Sequence, residues 1–458
     1  MATADGNSAR LALARAFLAD LESVGCEGTP GEPAALAALR RTALDHFAAR
    51  GLPAPTEEAW RFTSVAPITA HAYARPQPGA ATVGPERLAR WTVPGAHVLV
   101  LIDGRPAPEL STLGGMPDGV RIMGLAEAWS RHPGAVMAYL GRHAATEHNA
   151  FAALNTAFLT DGAFVLIPRG VALDAPVQVL ALATGGGDGA AAGPALPVAY
   201  PRTLVVLEEG AQATVVETFA PADGGAYLTC AVTEVIAENN ATLDHYRLQQ
   251  EAPAAFHMAT FQLWQGRDSS VRSHNIALGA ALARSEVNAL LGGEGVSCTL
   301  NGLYLAGGRQ HVDTQMRVEH AMPHGTSHEL YKGILDGRAR AVFNGRIFVH
   351  KAAQRTDAKQ SNRNLLLSRE ALVNSNPQLE IFADDVRCTH GSTVGQLDAE
   401  AVFYLRSRGI AEDAARSLLV YAFAGDLLAG IRVAPVREAL EEALIERLPR
   451  GEVVRQLA

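Results

Sequence analysis

A chain of 458 residues, 48% hydrophobic and 19% charged, has room for two or three domains and at least one sizeable core. Its net charge of −8, without a basic run, argues against a nucleic-acid partner, and apolar runs such as "HVLVLIDG" are too short to span a bilayer. "MATADGNSAR" has no basic stretch leading into an apolar one, so no secretory signal is read. Cys26, Cys230, Cys298 and Cys388 lie far apart with no CxxC, which suits reduced thiols in a cytoplasm.

Residues 1–150 read as a helical and mixed N-terminal domain. "SARLALARAFLADLESVG" and "EPAALAALRRTALDHFAARGLP" carry apolar residues at helical spacing on either side of a Gly/Pro break. Prolines punctuate 53–80, which predicts an extended linker with a few buried aromatics. A strand follows at "HVLVLID", then helices near "LAEAWSRH" and "GAVMAYLGRH".

From about residue 160 the texture becomes mainly β, with short apolar runs between Gly, Asn and Asp corners. "AQATVVE", "NATLDHY", "SSVRSHN" and "SCTLNG" place Ala213, Ala241, Ser269 and Ser297 at 28-residue intervals. A regular period of units that bury one face on their neighbours favours a β-helix over a β-sandwich, with two or three short strands per unit. The core is placed at 151–398. "ATGGGDGAAAGPALP" (183–197) reads as a surface loop, and the Asn and Ser residues of "QSNRNLLLSREALVNSNPQLEIFADD" as corner residues. Helical periodicity returns at 399–458, with a turn at Gly409. "LLVYAFAGDLL" is apolar enough to face a partner or to pack on the end of the solenoid.

Chemistry is sparse. No GxSxG, HExxH or GxxxxGK[ST] occurs, so no nucleophile elbow, zincin site or P-loop is read. His320, His324 and His328 have a spacing that would stack on a helix, but Pro323 and Gly325 break it, leaving corner and strand histidines. His311 reads as a satisfied polar side chain. Asp384 and Asp385 are adjacent and on a strand would face opposite ways. In "DDVRCTHG", Cys388 and His390 alternate on an extended strand and so share a face, where a thiolate and an imidazole can meet one metal. Each has a plainer reading, as a small buried hydrophobe and as a hydrogen-bonded edge residue. Two donors do not close a metal site, and a second chain is the economical source of the rest. The 36 arginines against three lysines, Lys332, Lys351 and Lys359, reflect a compositional habit, although the lysines fall within 28 residues of one another.

The stretch from "SHELYKGILDGRARAVFNGRIFVHK" to "FYLRSRGI" (327–410), with "ALNTAFLTDGAFVLIPRGV" (153–171) and "GLPAPTEEAWRFTS" (51–64), resembles the SufB/SufD family of the SUF iron–sulfur cluster assembly machinery. "ADDVRCTHGSTVGQLD" places it on the SufD side, since SufB-like chains carry a GDxCGAHT-type sequence there. The resemblance implies a right-handed parallel β-helix core with helical N-terminal and C-terminal domains, and a non-enzymatic scaffold. It also implies a complex with SufB and with the ATPase SufC, the latter docking on the C-terminal helices. A transient iron–sulfur cluster would be shared with SufB, with His390 at the matching histidine position and Cys388 beside it. A reduced flavin is associated with the family's complex, but no flavin motif is found, and a homodimer of the chain stays open. The rival reading is a β-helix enzyme acting on carbohydrate or acyl groups, which needs paired carboxylates or a catalytic histidine along a groove.

Overall fold

Two strands per turn, each closed by a tight corner, wind residues 163–395 into a parallel β-solenoid. The computed structural model describes residues 32–76, 83–185 and 195–457. One wall runs from Ala163–Ile167 through Arg202–Leu207, Leu228–Ala237, Phe256–Gln265, Leu282–Leu291, His311–His320 and Arg340–Val349 to Leu372–Ile381. The other runs from Val177–Ala183 through Gln212–Pro221, Thr242–Gln249, Ser270–Ala277, Ser297–Ala306, Thr326–Leu335 and Thr356–Leu366 to Val386–Gly395. The mainly β, parallel solenoid expected from the period is therefore present, with helices at both ends of the chain.

The repeat is less uniform than a strict 28 residues. Ala213 is in register with Leu243, not Ala241, and Ser297 with Ser270, not Ser269. Strands of eight to eleven residues keep their pairing while the corners absorb the difference. Asn240, Asp268 and Gly295 take positive φ at three of these corners (60°, 56° and 71°), the conformation for which Asn, Asp and Gly are suited. Each turn accordingly holds two long strands rather than three short ones.

The interior is a continuous apolar column, including Val165, Val205, Val235, Leu263, Val287, Phe343 and Tyr331. Buried parallel strands need apolar residues on the inner face, which is why the period was visible. The expected N-terminal helix is found at Ala34–Arg50; the one read over 8–25 lies outside the described residues. In the proline-punctuated segment Trp60 and Tyr73 are buried, whereas Phe62 is exposed. The N-terminal region also feeds the solenoid walls: His97–Ile102 pairs in parallel with Val177–Leu182, and Arg121–Gly124 pairs antiparallel with Ala163–Leu166. The Leu125–Arg131 helix packs on the outer face of this wall, where Leu125, Ala128 and Trp129 meet Phe164, Leu166, Leu204 and Val206.

The family-like segment 153–171 has a physical basis. Asn149 caps the Ala150–Ala157 helix by accepting from the Phe151 and Ala152 amides at 3.0 and 2.9 Å. Asn155 donates to the Pro201 and Cys230 carbonyls at 2.9 and 2.8 Å, tying that helix to the wall. Gly162 passes so close to Arg202 that a Cβ would sit 2.0 Å from its carbonyl oxygen. Of the glycine-rich insert, the residues from 195 onward are strand, Ala195–Ala199, which pairs with Ala72–Ala74; 186–194 lie outside the described residues.

At the other end of the chain the expected helices appear as Ala399–Ser407, Glu412–Leu428 and Ala434–Ile445, with Gly409 at φ 87° between the first two. A fourth, Gly451–Leu457, closes the chain. The apolar Glu412–Leu428 helix packs on the outer face of a wall, not on the solenoid's end. Val420, Ala424, Leu427 and Leu428 meet Tyr246, Ile276, Leu303 and Ile334 there. Lys332 fastens this contact: its ammonium donates to the Phe423 carbonyl at 2.7 Å and pairs with Asp426. No helix among the described residues is long and apolar enough to cross a membrane.

Candidate cluster site on the last turn

The last turn of the solenoid consists of Leu372–Ile381 and Val386–Gly395. Each is the terminal strand of its wall, paired on one side only within the chain. Unpaired edge N–H and C=O groups are a template for another chain.

Cys388 and His390 both lie on Val386–Gly395, two residues apart and therefore on one face. Register shows that this is the face turned to the solenoid interior. Cys388 aligns with buried Ala358 and His390 with buried Gln360; one turn further, Ala358 aligns with Ser327 and Gln360 with Glu329. Cys388 is half-buried against Ile347, Val349, Ala358 and Ala383. Burial pushes its thiol up, the Ala358 backbone hydrogen bond opposes this, and the carboxyls of Asp357 and Glu329 add to the rise. His390 is exposed, because no further turn covers it. The two candidate donors are thus brought together, one seated in the wall and one open to solvent. Among the described residues no group of three or more His, Cys, Asp or Glu side chains is placed to hold a metal ion.

The floor beneath the pair is polar. Gln360 is 3% exposed and donates to a Glu329 carboxyl oxygen at 3.4 Å. Its amide lies across the interior against Gly345, where a Cβ would stand 2.4 Å from it. Burial raises the Glu329 carboxyl to about 8, outweighing hydrogen bonds from Ser327 and Gln360. Asn362 and Asn364 are also buried interior residues rather than corner residues. Asn364 donates to Asn362 at 2.7 Å, Ser375 to Asn362 at 2.8 Å, and Ser392 to Ser375 at 2.8 Å. Amide and hydroxyl groups on successive turns satisfy one another, so the interior can hold them in place of aliphatic side chains.

The other histidines and acids singled out in the sequence do not converge with Cys388 and His390. His320 is buried at a strand end with Nε2 3.0 Å from the Ser327 hydroxyl, His324 sits in a corner at φ 61°, and His328 is exposed on the next strand. His311 meets the Thr63 hydroxyl at 2.9 Å. Asp384 and Asp385 occupy the exposed corner between the last two strands, so strand alternation does not apply to them.

Sequence reasoning missed the apolar surface around this turn. Leu372, Ile381 and Val394 are exposed on its strands and Phe382 in the corner between them, and Phe403 and Tyr404, 71% and 57% exposed, follow on the next helix. Six of the eight exposed large hydrophobic residues among the described residues therefore fall within 372–404. The signal was present: "FY" adds two aromatics to a short helix, "AEAVFYLRS", that buries none of its residues. By contrast Leu418, Leu419, Tyr421 and Phe423, the residues singled out for partner contact, are half-buried, Tyr421 and Phe423 in the cluster between this helix and the chain's own solenoid.

Comparison with known proteins gives a consistent answer. The SUF system FeS cluster assembly SufBD core domain matches residues 190–423, and the SufBD protein N-terminal region matches 29–179. An iron–sulfur cluster assembly SufBD family protein of Synechocystis is 34% identical over 424 residues, covering 90% of this chain and 91% of that protein. The iron–sulfur cluster assembly protein SufD of Escherichia coli is 38% identical over 260 residues, 57% of this chain and 62% of that protein. A Mycobacterium tuberculosis SufBD family protein is 34% identical over 307 residues, 65% of this chain and 73% of that protein. A solenoid whose two domain profiles together span most of its length, with a relative aligned almost end to end, leaves one assignment: the chain belongs to the SufBD family of SUF-system iron–sulfur cluster assembly proteins.

Proposed function

We propose that this chain is a non-catalytic scaffold subunit working in the cytoplasm, with SufB against its last turn and the ATPase SufC on its C-terminal helices. The nascent iron–sulfur cluster is the cargo, assembled where SufB meets this chain, and His390 is this chain's principal donor, with Cys388 in support. One observation carries the reading: Cys388 and His390 share the interior face of a turn whose two strands both end in an unpaired edge. An imidazole can replace a cysteine in iron–sulfur ligation, and the other donors come from the chain that covers the edge. The apolar ring of Leu372, Ile381, Phe382 and Val394 gives that partner a surface to bury. Phe403 and Tyr404 extend the contact area for SufC beyond the half-buried Leu418, Leu419, Tyr421 and Phe423. A reduced flavin belongs to this reading as a component of the complex, without residues assigned to it.

The test is co-expression with the SUF partners. His390→Ala removes one exposed side chain and no core volume, so the complex should assemble with normal stoichiometry while its iron and sulfide content collapses. Cys388→Ser should reduce cluster content less. Normal cluster content in the His390→Ala complex would refute the assignment, and loss of the complex would make His390 a structural residue.

A further inference from the structure

A cleft of about 750 Å³, lined by no residue of the last turn, lies where three parts of the molecule meet. They are the Pro85–Trp91 helix, the solenoid corners at 250–253, 278–281 and 307–310, and the end of the Ala434–Ile445 helix. Each part brings a guanidinium: Arg90, Arg309 and Arg447. None of the three has a carboxylate within ion-pair distance among the described residues. Arg447 is held in place by its bonds to the Ala443 and Leu278 carbonyls, at 2.7 and 3.2 Å. Burial depresses its guanidinium; Glu446 offsets this and the charge on Arg90 adds to it, so the two cations feel each other.

Neither acid of the cleft forms an ion pair with these cations: Glu446 is exposed and only partly offsets Arg447, and the Glu251 carboxylate is turned away into the solenoid, onto Thr229, Gln249 and His257. Beside the cations is an apolar wall: the half-buried Trp91 indole, with Arg90 5.0 Å over its ring, next to Leu278 and Pro253. Arginine forks bind phosphate oxygens in pairs, and an indole face takes a flat ring. The volume is that of a small-molecule site.

We propose that this cleft binds a small molecule in which a diphosphate is joined to a flat ring, with Arg90, Arg309 and Arg447 on the phosphates and Trp91 beside the ring. The site is independent of the cluster-scaffold reading, and either can fail without the other. The probes are ADP, for the complete chemistry, and inorganic pyrophosphate, for the charge alone, titrated calorimetrically into the full-length chain at low ionic strength. ADP should bind more tightly than pyrophosphate. Arg90→Ala and Arg309→Ala, at exposed positions, should each weaken ADP about tenfold, the size expected for one charge-assisted phosphate contact. Trp91→Phe should retain ADP binding, and Trp91→Ala should weaken ADP while leaving pyrophosphate unchanged. Absence of saturable ADP binding, equal affinity for ADP and pyrophosphate, or arginine variants that bind as the wild type would overturn the proposal.

Discussion

Replacing Glu329 by glutamine should make the protein more resistant to alkaline conditions. Glu329 is 3% exposed, in the interior two turns below His390, with one carboxyl oxygen unpartnered and no cation in ion-pair range among the described residues. Its proton is held up to about pH 8, against 4.5 for a free carboxyl. The folded-state value is the higher one, so the carboxyl's contribution is complete below pH 4.5 and is lost as pH rises through 8. The gap corresponds to about 5 kcal/mol across that window. For a chain of this size, that is roughly 5 °C in melting temperature. Glu329→Gln is neutral at every pH and nearly the same shape. Thermal melts of both proteins should coincide at pH 5 and diverge steadily above it, with the variant melting higher by about that amount at pH 9. A difference that stays flat from pH 5 to 9 would mean that Glu329 is ionised and solvated in the folded protein, and the reasoning would fail.

Three other outcomes can be checked. Glu234→Ala leaves Arg202 buried without its carboxylate, both side chains being fully buried, and should cost about 3–5 kcal/mol in chemical denaturation; a loss under 1 kcal/mol would contradict a desolvated pair. Lys332→Met keeps the aliphatic stem but loses the bond to the Phe423 carbonyl and the contact with Asp426. Hydrogen exchange in the Glu412–Leu428 helix should then rise about tenfold, and unchanged protection would show that apolar packing alone holds it. In a Cys26→Ser chain near pH 7.5, iodoacetamide should modify Cys388 more slowly than free cysteine, because its raised thiol holds little thiolate. Reaction as fast as free cysteine would point to a cation that activates it.

The solenoid was legible because its inner face must be apolar on every turn, and a period that recurs in packing recurs in sequence. The corners were not, because they vary in length; Ala213 aligned with Ala241 by count and with Leu243 in space. Asn362 and Asn364 were misplaced for a related reason. Asparagine satisfies turns locally, but here successive turns satisfy it in the interior, and that pairing is non-local. Cys388 and His390 could be placed on one face from alternation alone. That this face turns inward, over Gln360 and Glu329, required the register of strands some 30 residues apart. The arginine cleft had no sequence signal, since its three cations lie more than 100 residues apart and converge only through the fold.

The two ends of the solenoid differ, and the difference limits how it can assemble. At the first end the terminal strands, Arg105–Pro106 and Arg121–Gly124, are short and antiparallel to their neighbours, while the last turn presents two long parallel edges. A filament of stacked solenoids needs each last turn to meet the first end of the next copy, and there the terminal strands are only 2 and 4 residues long, against 10 in each strand of the last turn. Two last turns are matched in strand length, so an edge-to-edge contact between them would close on itself and leave no long edge for a third copy.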